Sequence, residues 1–425
     1  MLFNSLHFLI FFPVVVLAYF SMGHRFRWIF LLCASYYFYM CWKPEYVLLI
    51  MASTLIGYYT GLQMDKATVR SRRKMFLILS LVSNLGILFA FKYFNLLNDS
   101  LRAGFNHFNI LYNIPAFDVL LPIGISFYTF QTLSYTIEVY RGNQKPEKHL
   151  GIFALYVAFF PQLVAGPIER STNLLPQFYQ RQRFDLQRIK NGLLLMAWGF
   201  FKKLIIADRI AVLVNQIYNN PTDYSGAPLI IATYLFAFQI YCDFSGYSDI
   251  AIGGAQVLGI DLMKNFKFPY MAKSVSEFWK RWHISLSTWF RDYLYIPLGG
   301  NRVTTQRWFF NIIIVFLISG LWHGANWTFV IWGALHGFYI LFSFVTAKKR
   351  QSMASLLRLD QYPKIWGAVK TFITFNLIVF AWIFFRANSI SDAMYICAHL
   401  FSGNEFGARA HSFGINVNEL FIILA

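Results

Sequence analysis

Apolar stretches long enough to cross a hydrocarbon core recur along the whole chain, beginning near Leu2, Trp28, Tyr46, Met75, Val119, Gly192, Leu229, Trp308, Trp327, Val369 and Leu420. At about 20 residues per crossing they predict roughly ten to twelve transmembrane helices. The fold class is therefore an all-α polytopic membrane protein, read as one integral-membrane domain over residues 1–425. The first stretch has no basic residue ahead of it and no small-residue cleavage pattern after it, so it reads as a retained helix and not a signal peptide. Residues 152–166 form a shorter apolar run with basic flanks on both sides and with Pro161 at its centre and Pro167 at its end, the pattern of a re-entrant element that dips in and returns. Broken backbone of that kind is tolerated only inside protein or beside a water-filled cavity. Residues 95–117 alternate apolar and polar positions with little charge and read as a loop on the outer side, lying in the interface.

Between residues 261 and 307 the transmembrane pattern stops, yet aromatics remain frequent over a length that exceeds a simple connector. Ser274 followed by Glu277 is a capping-box pattern. Trp279, Trp282, His283, Leu286, Trp289, Phe290 and Tyr293 then recur at helical spacing and predict one helix with a single apolar face. This cytoplasmic or re-entrant segment either lies at the membrane surface or folds back into the protein, with Lys280 and Arg291 reaching water.

Composition agrees with the pattern: 57% hydrophobic, 20% aromatic and only 13% charged residues, with a mean hydropathy of +0.47, exclude a soluble globular domain. The net charge of +18 is not read as a nucleic-acid signal, because Lys and Arg accumulate in loops left on the cytoplasmic side. Basic clusters at 66–74, 141–148, 181–190, 264–307 and 348–358 are expected inside, which places the N-terminus outside. Cys33, Cys41, Cys242 and Cys397 lack metal-like or redox spacing and are assigned to packing; no metal is expected.

Polar islands within the apolar runs carry the candidate chemistry. His323 stands between Gly320 and Gly324, where an ionisable side chain in a spanning segment marks a substrate path or proton relay more often than packing. If the helix after Arg307 is continuous, His323 lies about 24 Å further along it. Gly320, Gly324 and Asn326 can end that helix, and Asn326 or a backbone amide near Gly324 is a candidate oxyanion donor. His283 is either a buried histidine satisfied by a carbonyl or a binding group near the cytoplasmic mouth of a cavity. His336 is read as structural. Asp243, expected to face the interior with Arg281, Arg291 or Lys202 as partner, is equally an ion-pair member or a functional group. Lys202 and Lys203 are read as snorkelling side chains, with contact to phosphates as the alternative. Trp282, Arg291, Asp243 and Asn326 complete the set of candidate substrate-binding or tunnel-lining residues.

The stretches LPIGISFY at Leu121, FPQLVAGPIER at Phe160 and DFSGYSD at Asp243, the segment 277–300, and Trp-His-Gly at Trp322 follow one another in an order and spacing that resembles the membrane-bound O-acyltransferase family. The likeness is strongest to its bacterial branch that includes the membrane protein of alginate O-acetylation, and it covers residues 1–386. It implies helices around a central tunnel, His323 as the catalytic histidine and His283 as a second functional histidine. It also implies an acyl group moved from a cytoplasmic thioester, acetyl coenzyme A by preference, to a hydroxyl of an exported polysaccharide or to an extracytoplasmic acetyltransferase partner, at a bacterial cytoplasmic membrane. Histidine suits the general-base role because its pKa lies near neutrality, and with no paired serine nucleophile in view direct transfer is expected. D-alanyl transfer from a carrier protein to teichoic acid is the alternative, and a transporter without chemistry a distant one. Members of the family usually continue with further helix beyond the point where this sequence stops, which reads as a cut C-terminal end.

Overall fold

The computed structural model describes residues 1–117 and 120–403, so the stretches starting at Val119 and Leu420 begin outside the described residues. Among the described residues every element is helical. Among the described residues six helices are long and apolar enough to cross a membrane: Pro44–Lys66, Arg70–His107, Ala227–Leu258, Thr305–His323, Trp327–Val345 and Pro363–Arg386. The other described apolar runs also become helices, but Leu6–Ser21, His24–Met40 and Ile125–Arg141 are shorter, with 16 or 17 residues each. The chain is a multi-pass membrane protein.

Two compact units divide it. The first comprises Met1–Gly199 and Tyr247–Lys264, the second Phe200–Gly246 and Asn265 onward. In the first unit, polar and small side chains join helices where apolar surface alone gives no drive to associate in lipid. Ser53 donates to Asn84 at 2.5 Å, and Ser80 and Thr136 share a hydrogen bond at 3.1 Å. The run containing Pro161 is broken at Phe159 into Leu150–Ala158 and Phe160–Leu163, and almost all of it is buried. Its freed backbone groups are met by side chains: Gln131 and Gln162 donate to the carbonyl of Tyr156 at 2.7 and 2.8 Å, and Ser35 accepts from the amide of Phe160 at 3.1 Å. A cavity is not needed to satisfy that break.

Residues 95–107 depart from the expected loop, whereas 108–117 carry no helix. Helix Arg70–His107 continues through them as far as His107, widened by a π-helical turn at Phe89–Tyr93, and Asn95 clamps Phe117 back onto it by two hydrogen bonds. The alternation of apolar and polar residues as far as His107 belongs to a helix. Cys33 and Cys41 are exposed and so do not serve internal packing, whereas Cys242 is buried.

The second unit is organised by a hairpin of Thr305–His323 and Trp327–Val345. Its two helices touch backbone to backbone at two glycines: a Cβ on Gly320 would overlap the carbonyl of Phe329, and one on Gly333 that of Phe316. Pro363–Arg386 packs on the second arm of this hairpin, and Trp332, Trp382, Trp282, Phe278 and Tyr218 fill the centre.

Candidate active site

The segment 265–300 folds into the second unit, burying Phe278, Trp282, His283, Leu286 and Phe290 while Lys280 and Arg291 stay exposed. Ser274 caps the helix Val275–Phe278 by accepting from the amide of Glu277 at 3.1 Å, and Glu277 accepts from the amide of Lys273 at 2.8 Å, close to the reciprocal pattern the sequence predicts. The expected single helix then breaks. His283 adopts the left-handed conformation, φ 45° and ψ 56°, and starts a new helix, Ile284–Phe290, which passes into a π-helical turn at Arg291–Tyr295. Asn265 holds the break in place: its carbonyl accepts from the amide of Ile284 at 3.0 Å and its side chain from that of Ser285 at 3.2 Å. A bulky residue with positive φ costs on the order of 1–3 kcal/mol and persists where surrounding structure enforces it, often at functional sites.

His323 is the last residue of its helix, and Gly324 caps it in extended backbone. The chain reverses over three residues, and the Asn326 side chain accepts from the amide of Thr328 at 3.0 Å to start the next helix. The other end of that carboxamide donates to the carbonyl of Asn388 at 3.0 Å. Asn326 is thus a capping residue, and one of the two N–H groups of its carboxamide is engaged on Asn388.

The break and the reversal together bring the two histidines side by side, ring centroids 6.4 Å apart. His283 is therefore at the Gly324 end of the helix and not at a mouth near its Arg307 end, contrary to the depth difference expected from sequence. Aromatic rings enclose the pair. Phe244 meets His283 edge-on at 4.6 Å and Trp322 lies 5.7 Å from it; Trp332 and Phe385 lie 5.0 and 5.3 Å from His323. Full burial pushes the His283 imidazole down to about 3, so it stays neutral. His323 is half-buried, less hidden than the sequence suggested. Trp332 and Phe385 went unnoticed in the sequence. The spacing of Trp332 to His336 on one helix face was the signal for the first, since Trp332 also stands 4.8 Å from His336.

The remaining candidates separate. Trp282 is buried, stacked on Phe278 at 5.4 Å and packed on Trp382 at 5.2 Å, so its place is in the core behind His283. Asp243 pairs with none of the three cations expected: Arg281 binds Glu277, Arg291 binds Asp292, and Lys202 donates to Ser245. Its partner is Lys203, at 2.5 Å, which also binds Asp208 at 2.8 Å. Both lysines lie in the π-helical turn Phe201–Ala207 and turn inward, so neither snorkels. Arg291 and Lys280 stand at a cavity of about 500 Å³ between Ile284–Phe290 and Thr305–His323. Ile284, next to His283, and Ser319, one turn before His323, are among its walls, with Phe316 and Val315.

The model of the MBOAT, membrane-bound O-acyltransferase family, matches residues 148–385. The probable alginate O-acetylase AlgI of Pseudomonas putida is 40% identical over 430 residues, covering 99% of this chain and 85% of that protein. The peptidoglycan O-acetyltransferase of Helicobacter pylori is 36% identical over 437 residues, covering 93% and 79%. The teichoic acid D-alanyltransferase of Streptococcus thermophilus is 28% identical over 284 residues, covering 62% and 68%. The chain belongs to the membrane-bound O-acyltransferase family and is an O-acyltransferase.

Proposed function

We propose that this membrane-bound O-acyltransferase takes an acetyl group from acetyl coenzyme A on the cytoplasmic side of a bacterial inner membrane and delivers it to a hydroxyl of an exported polysaccharide or of an extracytoplasmic acetyltransferase partner. The observation that carries this reading is the adjacency of His283 and His323 within one aromatic enclosure. His323 is the general base. As the acceptor oxygen attacks the thioester carbonyl, His323 takes the hydroxyl proton; the C–S bond breaks, and the proton passes to the departing thiolate. His283, held neutral and far from the pKa that suits a base at pH 7, positions substrate or the His323 ring and does not itself exchange the proton.

The cavity beside them suits the donor. Its apolar walls lead toward the histidines, while Lys280 and Arg291 supply positive charge for the coenzyme's phosphates. The similarity to alginate and peptidoglycan O-acetylating proteins supports an acetyl donor and a carbohydrate acceptor over D-alanyl transfer. Purified protein incubated with labelled acetyl coenzyme A or with a carrier protein charged with labelled D-alanine tests this. Label lost from the acetyl donor in wild type and retained in His323→Ala is expected; turnover of the charged carrier alone would replace the proposal with D-alanyl transfer.

A further inference from the structure

A second cavity, about 310 Å³ in volume, opens on the second unit away from the histidines, bounded by the residues before Val275–Phe278, by Trp327–Val345 and by Pro363–Arg386. Three cations line it, Lys273, Arg350 and Lys370, and no carboxylate does. Each cation is in contact with a neutral group. Lys273 lies across the bare backbone of Gly367, where a Cβ would stand 3.5 Å from its ammonium. Arg350 donates to the carbonyl and hydroxyl of Ser343 at 2.5 and 2.9 Å, which leaves further N–H groups of its fork to donate. Lys370 sits over the ring of Trp366 at 5.3 Å. Glu277, whose charge Lys273 helps stabilise, is bound to Arg281 at 2.7 Å and does not enter the cavity wall.

The rest of the wall is apolar and open outward: Phe338, Phe342 and Ile373 belong to membrane-crossing helices and are each more than half exposed. Three positive charges converging on one cavity whose wall holds no carboxylate favour an anion carrying phosphate oxygens. Apolar side chains leading from those charges along two spanning helices favour an anion with hydrocarbon chains, since basic pockets between such helices at a membrane surface fit acidic lipid headgroups. We propose that this groove is a binding site for an anionic phospholipid, with the phosphodiester among Lys273, Arg350 and Lys370 and an acyl chain along Phe338, Phe342 and Ile373. The lipid ties the two helices together at their charged ends, independently of the acyl-transfer chemistry.

The test compares the full chain in nanodiscs of phosphatidylglycerol with nanodiscs of phosphatidylcholine, following thermal unfolding, and counts retained lipid by native mass spectrometry after detergent extraction. Wild type is expected to melt several degrees higher with phosphatidylglycerol and to retain one such lipid more than the variant K273Q/R350Q/K370Q, whereas neutralising Arg70 and Arg72, which belong to the first unit and do not line the groove, leaves both readouts unchanged. Equal melting in the two lipids, or an undiminished shift and lipid count in the triple variant, would overturn the proposal. So would a shift of the same size produced by inorganic phosphate on detergent-solubilised protein, which identifies a free-anion site instead. If the triple variant does not fold, K370Q alone is expected to halve the retained lipid, and an unchanged count there overturns the proposal equally.

Discussion

The indole N–H of Trp279 donates to Nδ1 of His336 at 3.3 Å, both side chains buried. An accepting Nδ1 carries no proton, so the ring is the Nε2–H tautomer, and it packs edge-on against Trp332 at 4.8 Å. His336→Phe removes the acceptor and strands the Trp279 donor, at a cost of about 1–3 kcal/mol for an unsatisfied buried group. The expected outcome is a lower Tm with acyl transfer per folded molecule nearly unchanged. A large fall in kcat at full folding would move His336 into the chemistry.

His323→Ala is expected to lower acyl transfer by on the order of 10²-fold or more, the usual scale of general acid–base catalysis, while the helix that ends there keeps its cap and the protein its yield. Single-turnover decay of labelled donor measures this. Activity within a few fold of wild type would remove His323 from the role of base.

At His283 the side chain and the backbone can be tested apart. His283→Gly relieves the left-handed conformation and His283→Ala keeps the strain, so Gly should melt higher than Ala. Both lack the ring and are expected to lose most activity alike. If the glycine variant were fully active, the backbone break and not the imidazole would be what the site requires.

Acid stability follows from the same residue. Burial holds His283 down to about 3, below the ordinary value of about 6.5. A depressed folded value means that the contribution is complete above pH 6.5 and is lost as pH falls from there toward 3, because the unfolded chain binds a proton that the folded one refuses. The slope is at most about 1.4 kcal/mol per pH unit. Tm recorded from pH 7.5 to 4.5 should fall more steeply in wild type than in the non-titrating variant His283→Asn; parallel curves would refute the assignment.

Lys280 and Arg291 line the larger cavity and are exposed. Lys280→Ala and Arg291→Ala are expected to raise KM for acetyl coenzyme A several-fold with little change in kcat, as loss of binding shared by ground and transition states does. A short pantetheine thioester lacking the nucleotide phosphates should show no such penalty. An equal penalty for both donors would place the two cations elsewhere than on the phosphates.

Local chemistry explains what was legible from sequence. The Ser274–Glu277 cap, the stop at His323 before Gly324, and the break near Pro161 are each written within a few residues, and the structure has all three. The apolar stripe through Trp279, Trp282 and Leu286 misled because the turn over residues 279–283, which ends on the left-handed His283, interrupts the helix without removing apolar residues from the interior side, so the spacing survives the break. The meeting of His283 with His323 and of Asp243 with Lys203 depends on tertiary packing and on a π-helical turn, and neither leaves a periodic trace.

The two contacts in which Gly320 meets Phe329 and Gly333 meets Phe316 leave no room for adjustment between the arms of the hairpin. With the donor in the proposed cavity, retuning for longer acyl chains has to proceed through residues such as Ile312 and Val315, whose side chains can shrink without parting the main chains. The arm that ends in His323 is in effect fixed by four backbone positions, while the cavity beside it remains open to variation.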